Sequence, residues 1–172
     1  RALRGRDPRV LRSCWDGDRV FQVTFRGEKG SDAGGLFRDA MSQIVDDLFS
    51  LPPNKPKIDL FIPCPNAKHE VYANADKFIP NPRYRHSPVG RSMLRFVGRL
   101  AGASLRATLC LPFRLPPAAW RFLVGEALTL GEDLLGVDAL AAALVLRARA
   151  AADRAQWAAL GLRDLGFVCP RG

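Results

Sequence analysis

Between Val20 and Phe49 the hydrophobic period changes once, and the change falls across nine residues, Gly27 to Gly35, that hold four glycines. Phe21, Val23 and Phe25 share one side of an extended segment, and Gln22 and Thr24 share the other, the alternation of a strand with one buried face. From Leu36 the apolar residues Leu36, Ala40, Met41, Ile44, Val45 and Leu48 recur at three- and four-residue steps, the pattern of an amphipathic helix. The spacing therefore predicts a strand over 20–25, a tight turn, and a helix from Leu36.

Gly27, Gly30, Gly34 and Gly35 point to backbone angles or close approaches that a side chain would forbid. Ser31 or Asp32 is expected to cap the helix, because each is short and accepts hydrogen bonds from its first free amides. Gly35→Val is expected to destabilise the chain through this turn. The functional alternative is a phosphate cradle, since amides at a helix start attract anions. Neither G-x-G-x-x-G nor G-x-x-x-x-G-K-[ST] is present, and Lys29 precedes Gly30, so a structural turn is the favoured reading.

The length of 172 residues suits one domain or part of a larger one. With 48% hydrophobic and 25% charged residues the chain reads as globular. The formal net charge of +9 favours acidic partners such as nucleic acid, yet the basic residues run along the whole chain. Arginine supplies 21 of the 26 basic residues, and alanine and leucine are also abundant. A bias of the coding genome accounts for both, which discounts the charge as a functional signal. Cys14, Cys64, Cys110 and Cys169 form no C-x-x-C pair, so neither a zinc ribbon nor a dense disulfide framework is expected. A reducing, cytoplasmic setting follows as an expectation, with the nucleus as a second location. The longest uncharged apolar stretch of the Ala-rich C-terminal region, residues 139–146, is far short of the ~20 residues a membrane span needs.

Residues 1–19 read as a basic leader or linker whose arginines form a solvated face. Leu51-Pro-Pro-Asn-Lys-Pro-Lys57 stops the helix. Ile58 to Ile62 reads as a short strand closed by Pro63-Cys-Pro-Asn66, and Phe78-Ile-Pro-Asn-Pro82 as a second apolar step within a loop region. Cys64 and His69 together suggest a thiol nucleophile with a base, but Cys64 lies between two prolines and sequence spacing does not place His69 beside it. His86 sits in an Arg-rich turn, and all three read as structural. Residues 92–108 carry Met93, Phe96, Val97, Leu100, Ala101, Ser104 and Leu105 at helical spacing. Gly98 and Gly102 lie one turn apart there, and since each costs about 1 kcal/mol relative to Ala, a neighbouring element pressed against that face is expected. Pro116-Pro117 opens a helix through Trp120, Phe122, Leu123 and Val124 that ends at Gly125, with Trp120 expected in the core. Residues 137–160 predict one long helix or two, and Leu165 to Cys169 a strand.

Four segments carry a resemblance in the same order. F-Q-V-T-F-R-G-E-K-G-S-D-A-G-G-L-F-R-D, from Phe21 to Asp39, with Glu28 and Asp32 among its motif residues, resembles the opening of the N-terminal lobe of HECT-type ubiquitin ligases, most of all the large HERC-type members. Leu60, Phe61, Pro63, Pro65 and Asn66 are similar to that family's "lF.P.PN" segment. Met93 to Leu105 resembles its "F.F.GRL.G.A.R" helix, and residues 111–138 its "LP..fWK.L.g..lt..DL..vD" segment. The resemblance covers residues 20–140 well.

It implies an α+β, mostly helical fold: the large subdomain of a HECT N-lobe over 20–172, incomplete, with the small subdomain and the C-terminal lobe absent. It implies a longer ligase that takes ubiquitin from a conjugating enzyme as a cysteine thioester and passes it to substrate lysines. The family's cysteine sits in a Thr-Cys loop of the C-terminal lobe, and no Thr-Cys dipeptide occurs here, so no catalytic residue is carried over. Expected partners are a conjugating enzyme and ubiquitin, through the missing parts of the domain, and protein substrates. No cofactor, metal or membrane is expected. The competing class is a basic nucleic-acid-binding or protein-interaction module without catalysis, whose affinity would fall steeply with salt.

Overall fold

The computed structural model describes residues 7, 9, 20–24, 34–50, 58–68 and 73–161. The expected leader over 1–19, apart from Asp7 and Arg9, the turn residues Gly27, Glu28, Gly30, Ser31 and Asp32, and the strand over 165–169 lie outside these residues. The fold is α+β and mostly helical, with two short antiparallel strands. It divides into two compact units: residues 1–62 with 78–114, and residues 63–77 with 115–172.

In the first unit, α1 runs Gly35–Leu48 and buries Phe37, Met41, Val45 and Leu48. That stripe is turned by about one residue from the periodicity of the sequence, because Phe37, and not Leu36, leads it. Phe21 meets Phe37 edge-on with ring centroids 4.9 Å apart. No strand forms over 20–24 among the described residues, although the expected alternation survives as half-buried Phe21 and Val23 beside exposed Gln22 and Thr24.

The residue at the start of α1 is Gly34, at φ 104°, a left-handed conformation that a side chain resists. It has no side chain with which to cap the helix, and the expected cap by Ser31 or Asp32 lies outside the described residues. Gly35 has ordinary helical geometry and no described atom within 4 Å of where its Cβ would stand. The strain expected at Gly35 therefore belongs to Gly34. Gly34→Val is expected to lower stability by about 1–2 kcal/mol, whereas Gly35→Ala is expected to leave it unchanged or raise it by up to about 1 kcal/mol. Urea unfolding of the two variants distinguishes the positions.

β1 (Phe61–Pro63) and β2 (Phe78–Pro80) spell the same tripeptide, and in each the Phe is buried, the Ile half-buried and the Pro exposed. The strand predicted over 58–62 is shifted to 61–63, with Ile58 exposed. Two paired strands alone are marginal in water. Aromatic packing supports them: Phe49, just past α1, lies 4.7 Å from Phe61, 5.6 Å from Phe78 and 6.2 Å from Phe113, centroid to centroid. α2 (Pro88–Arg106) begins with Ser87 accepting from the Gly90 amide at 3.2 Å and Pro88 in the first turn. It buries Gly90, Val97, Leu100, Ala103 and Ser104, while Leu105 is exposed.

In the second unit, α3 (Pro117–Leu123) starts at the predicted prolines and is followed by Gly125 at φ 80°. A π-helical turn (Leu130–Leu134), α4 (Ala139–Ala150) and α5 (Arg154–Ala159) follow among the described residues, so the Ala-rich segment forms two helices. Asp138 caps α4 and Asp153 caps α5. Gln156 reaches back to the Ala152 amide at 2.8 Å, so Asp153 and Gln156 satisfy the start of α5 reciprocally.

Candidate functional site

Of the residues singled out for chemistry, Cys64, His86 and Cys110 are among the described residues. Cys64 is 1% exposed, and burial pushes its thiol up to about 11, with the negative charge of Asp76 acting in the same direction. A thiol in that state is a core residue and not a nucleophile at neutral pH. Its proposed partner His69 lies outside the described residues, and His86 is exposed. Cys110 is exposed and unbridged. Among the described residues no three His, Cys, Asp or Glu side chains are placed to hold a metal ion. No described helix is long and apolar enough to cross a membrane. Alkylation with iodoacetamide at mildly alkaline pH is expected to label Cys110 within minutes and to spare Cys64 until the chain is unfolded, as read by peptide mapping.

What the polar side chains do instead is fix turns. Asn66 is 2% exposed; its amide nitrogen donates to the carbonyls of Ala73 at 3.1 Å and Leu135 at 3.0 Å. Its carbonyl oxygen accepts from the Ala139 amide at 2.8 Å, and its backbone amide donates to Val137 at 3.2 Å. One side chain thus ties the segment after β1 to the start of α4, and Asn74 reinforces the tie by donating to the Gly136 carbonyl at 3.1 Å.

Asn81 has the matching duty in the first unit. It donates to the Asp59 carbonyl at 2.8 Å and accepts from the Arg83 amide at 3.0 Å. The Tyr84 hydroxyl donates to the Asp59 carboxylate, which also pairs with Arg83 at 3.2 Å. These contacts, the tyrosine hydrogen bond first, hold the Asp59 carboxyl below its ordinary range and raise the Tyr84 phenol. Tyr84 in turn packs on Gly90, where a Cβ would meet Tyr84 Cγ and its carbonyl oxygen at 3.0 Å.

Arg121 organises the turn after α3. It bonds Glu126 at 3.1 Å, Glu132 at 3.2 Å and the largely buried Asp133 at 3.4 Å, and Asp133 accepts the Thr129 amide at 2.6 Å.

The glycines expected to mark a close approach behave otherwise. Gly98 has no described atom within 4 Å of its Cβ position, and Gly102 has only Nη1 of Arg106, at 3.9 Å. The glycine that α2 does need is Gly90, whose signal was its place two residues after Pro88. Trp120, expected in the core, is 41% exposed, and Phe122, Leu123 and Val124 are more exposed still. A seven-residue helix has too little length to bury every apolar side chain, and the periodicity alone did not choose the face.

The arrangement can position and present; it holds no assembled machinery for breaking a bond among the described residues. Comparison with known proteins agrees with the segments quoted above. A family model described as HECT-domain (ubiquitin-transferase) matches residues 45–170. The mouse E3 ubiquitin-protein ligase HERC2 is 37% identical over 121 residues, 70% of this chain and 2% of that protein. The human probable E3 ubiquitin-protein ligase HECTD4 is 33% identical over 133 residues, 76% of this chain and 3% of its own length. The yeast (Saccharomyces cerevisiae) E3 ubiquitin-protein ligase TOM1 is 26% identical over 117 residues, 68% of this chain and 3% of its own. The chain thus spans only a few hundredths of the length of these relatives.

Proposed function

The chain belongs to the HECT family of ubiquitin-transferase domains, and from that premise we propose that it is scaffold within a ubiquitin ligase. The ligase takes ubiquitin from a conjugating enzyme onto a cysteine outside this segment and passes it to a substrate lysine. In the first step a thiolate attacks the ubiquitin thioester and the conjugating enzyme's thiol leaves; in the second a neutral lysine amine attacks and the ligase thiol leaves. The first step needs a reactive thiolate as nucleophile, and the second releases that thiolate as the leaving group. Cys64, with its thiol held at about 11, does not supply one.

The observation that carries the reading is the family match over 45–170. It includes Asn66 and Asp138, the residues that fasten and cap the start of α4. A conjugating enzyme, ubiquitin and protein substrates are the partners proposed for the ligase as a whole.

The test is a thioester assay on this chain with activating enzyme, a panel of conjugating enzymes, ubiquitin and ATP, resolved without reductant. No thiol-reducible ubiquitin adduct is expected. An adduct mapped to Cys14, Cys64, Cys110 or Cys169 would replace the scaffold with a transferase that carries its own nucleophile.

A further inference from the structure

α2 turns a ridge of arginines outward. At the angular step of an α-helix, Arg91, Arg95, Gly98, Arg99 and Gly102 share one side, opposite the buried Val97, Leu100 and Ala103. Arg91, Arg95 and Gly98 are exposed. The three arginines repeat one turn apart, at about 6 Å. None of them makes an ion pair with a described residue. The sequence around them offers little relief, since no Asp or Glu occurs between Asp76 and Glu126 while nine Lys and Arg do.

Two features make this face costly to the chain alone. Like charges four residues apart repel along a helix, and glycines inside a helix lower its propensity. Gly98 meets no described neighbour that would justify it. A second helix lying along the face would relieve both: its backbone can approach closely over the missing side chains of Gly98 and Gly102, and its carboxylates can pair with the guanidinium groups on either side. Arginine suits that role because its planar fork binds a carboxylate through two parallel hydrogen bonds.

We propose that this face of α2 docks an acidic amphipathic helix of a partner protein, with Gly98 and Gly102 as the notch and Arg91, Arg95 and Arg99 as the charge clamp. Acidic residues one turn apart on such a helix share the arginines' repeat of about 6 Å. Nucleic acid fits less well. The face carries no aromatic side chain on which a base could stack, and three arginines on one short ridge fall below the roughly 6–10 phosphate contacts of a salt-sensitive binder. The proposal stands apart from ubiquitin transfer, and its test does not involve it.

Fluorescence anisotropy with a labelled peptide of about 20 residues, helical, with Glu four residues apart along one edge and Ala along the facing stripe, tests it. The peptide is expected to bind the 172-residue chain. Arg95→Glu is expected to weaken it about tenfold or more, and Gly98→Leu, which fills the notch while keeping every charge, about tenfold. Because Gly98→Leu raises helix propensity on an exposed face, circular dichroism is expected to show that variant as well folded as the parent. A uridine oligonucleotide of similar length is expected to bind more weakly and to ignore Gly98→Leu. No peptide binding, peptide binding indifferent to Gly98→Leu, or an oligonucleotide bound as tightly as the peptide would each overturn the proposal.

Discussion

Asn66→Ala is expected to lower the stability of the second unit by about 3–5 kcal/mol, most of what a small domain has to lose. The side chain satisfies two carbonyls, of Ala73 and Leu135, and one amide, of Ala139, at a position 2% exposed. Truncation removes three hydrogen bonds, each worth roughly 1 kcal/mol net, and leaves backbone groups where water reaches them poorly. Asn66→Asp is a sharper variant. It keeps the size and the acceptor for Ala139 but turns a carboxylate toward two carbonyl oxygens, so it is expected to cost at least as much. Urea unfolding followed by circular dichroism measures both. A loss below about 1 kcal/mol for either would mean that water substitutes for the asparagine and that it does not hold the start of α4.

Phe78→Ala is expected to cost about 3–5 kcal/mol in the first unit. Phe78 is wholly buried, and its ring meets Phe49 edge-on at 5.6 Å within the aromatic group that also includes Phe61 and Phe113. Alanine leaves a cavity that the two short strands cannot close without shifting their pairing. Phe78→Leu keeps most of the volume and is expected to cost less than half as much, which separates packing from a general intolerance of change at β2. Thermal unfolding of the pair gives the comparison. Equal losses would contradict the cavity argument.

The helices were legible in the sequence wherever a local signal agreed with the period. Pro116-Pro117 announces α3, because a fixed φ acts within a few residues of itself; α2 is expected from residue 92 by its period alone, and its start at Pro88, capped by Ser87, lies four residues earlier. The first Phe-Ile-Pro step is legible as a short strand to within a few residues, and the second only as an apolar step within a loop region. Asn66 and Asn81 stood in the quoted segments, but their partners at Leu135 and Asp59 lie far away in sequence, and no local rule pairs them. Gly98 and Gly102 show the opposite failure. Their helix cost points to a neighbouring element, yet cost alone does not say where that element comes from. Trp120 followed the usual preference of tryptophan for burial, and the short α3 left it partly exposed.

The account rests on residues 45–170 acting as interchangeable HECT scaffold, and a graft measures that directly. The matching segment of one of the full-length ligases it resembles is replaced by this chain's residues 45–170, and ubiquitin transfer to that ligase's own cysteine is followed as a thiol-reducible adduct. Transfer retained in the graft, and lost when the graft carries Asn66→Ala, is the predicted result. A graft that folds cooperatively yet forms no adduct would contradict the account.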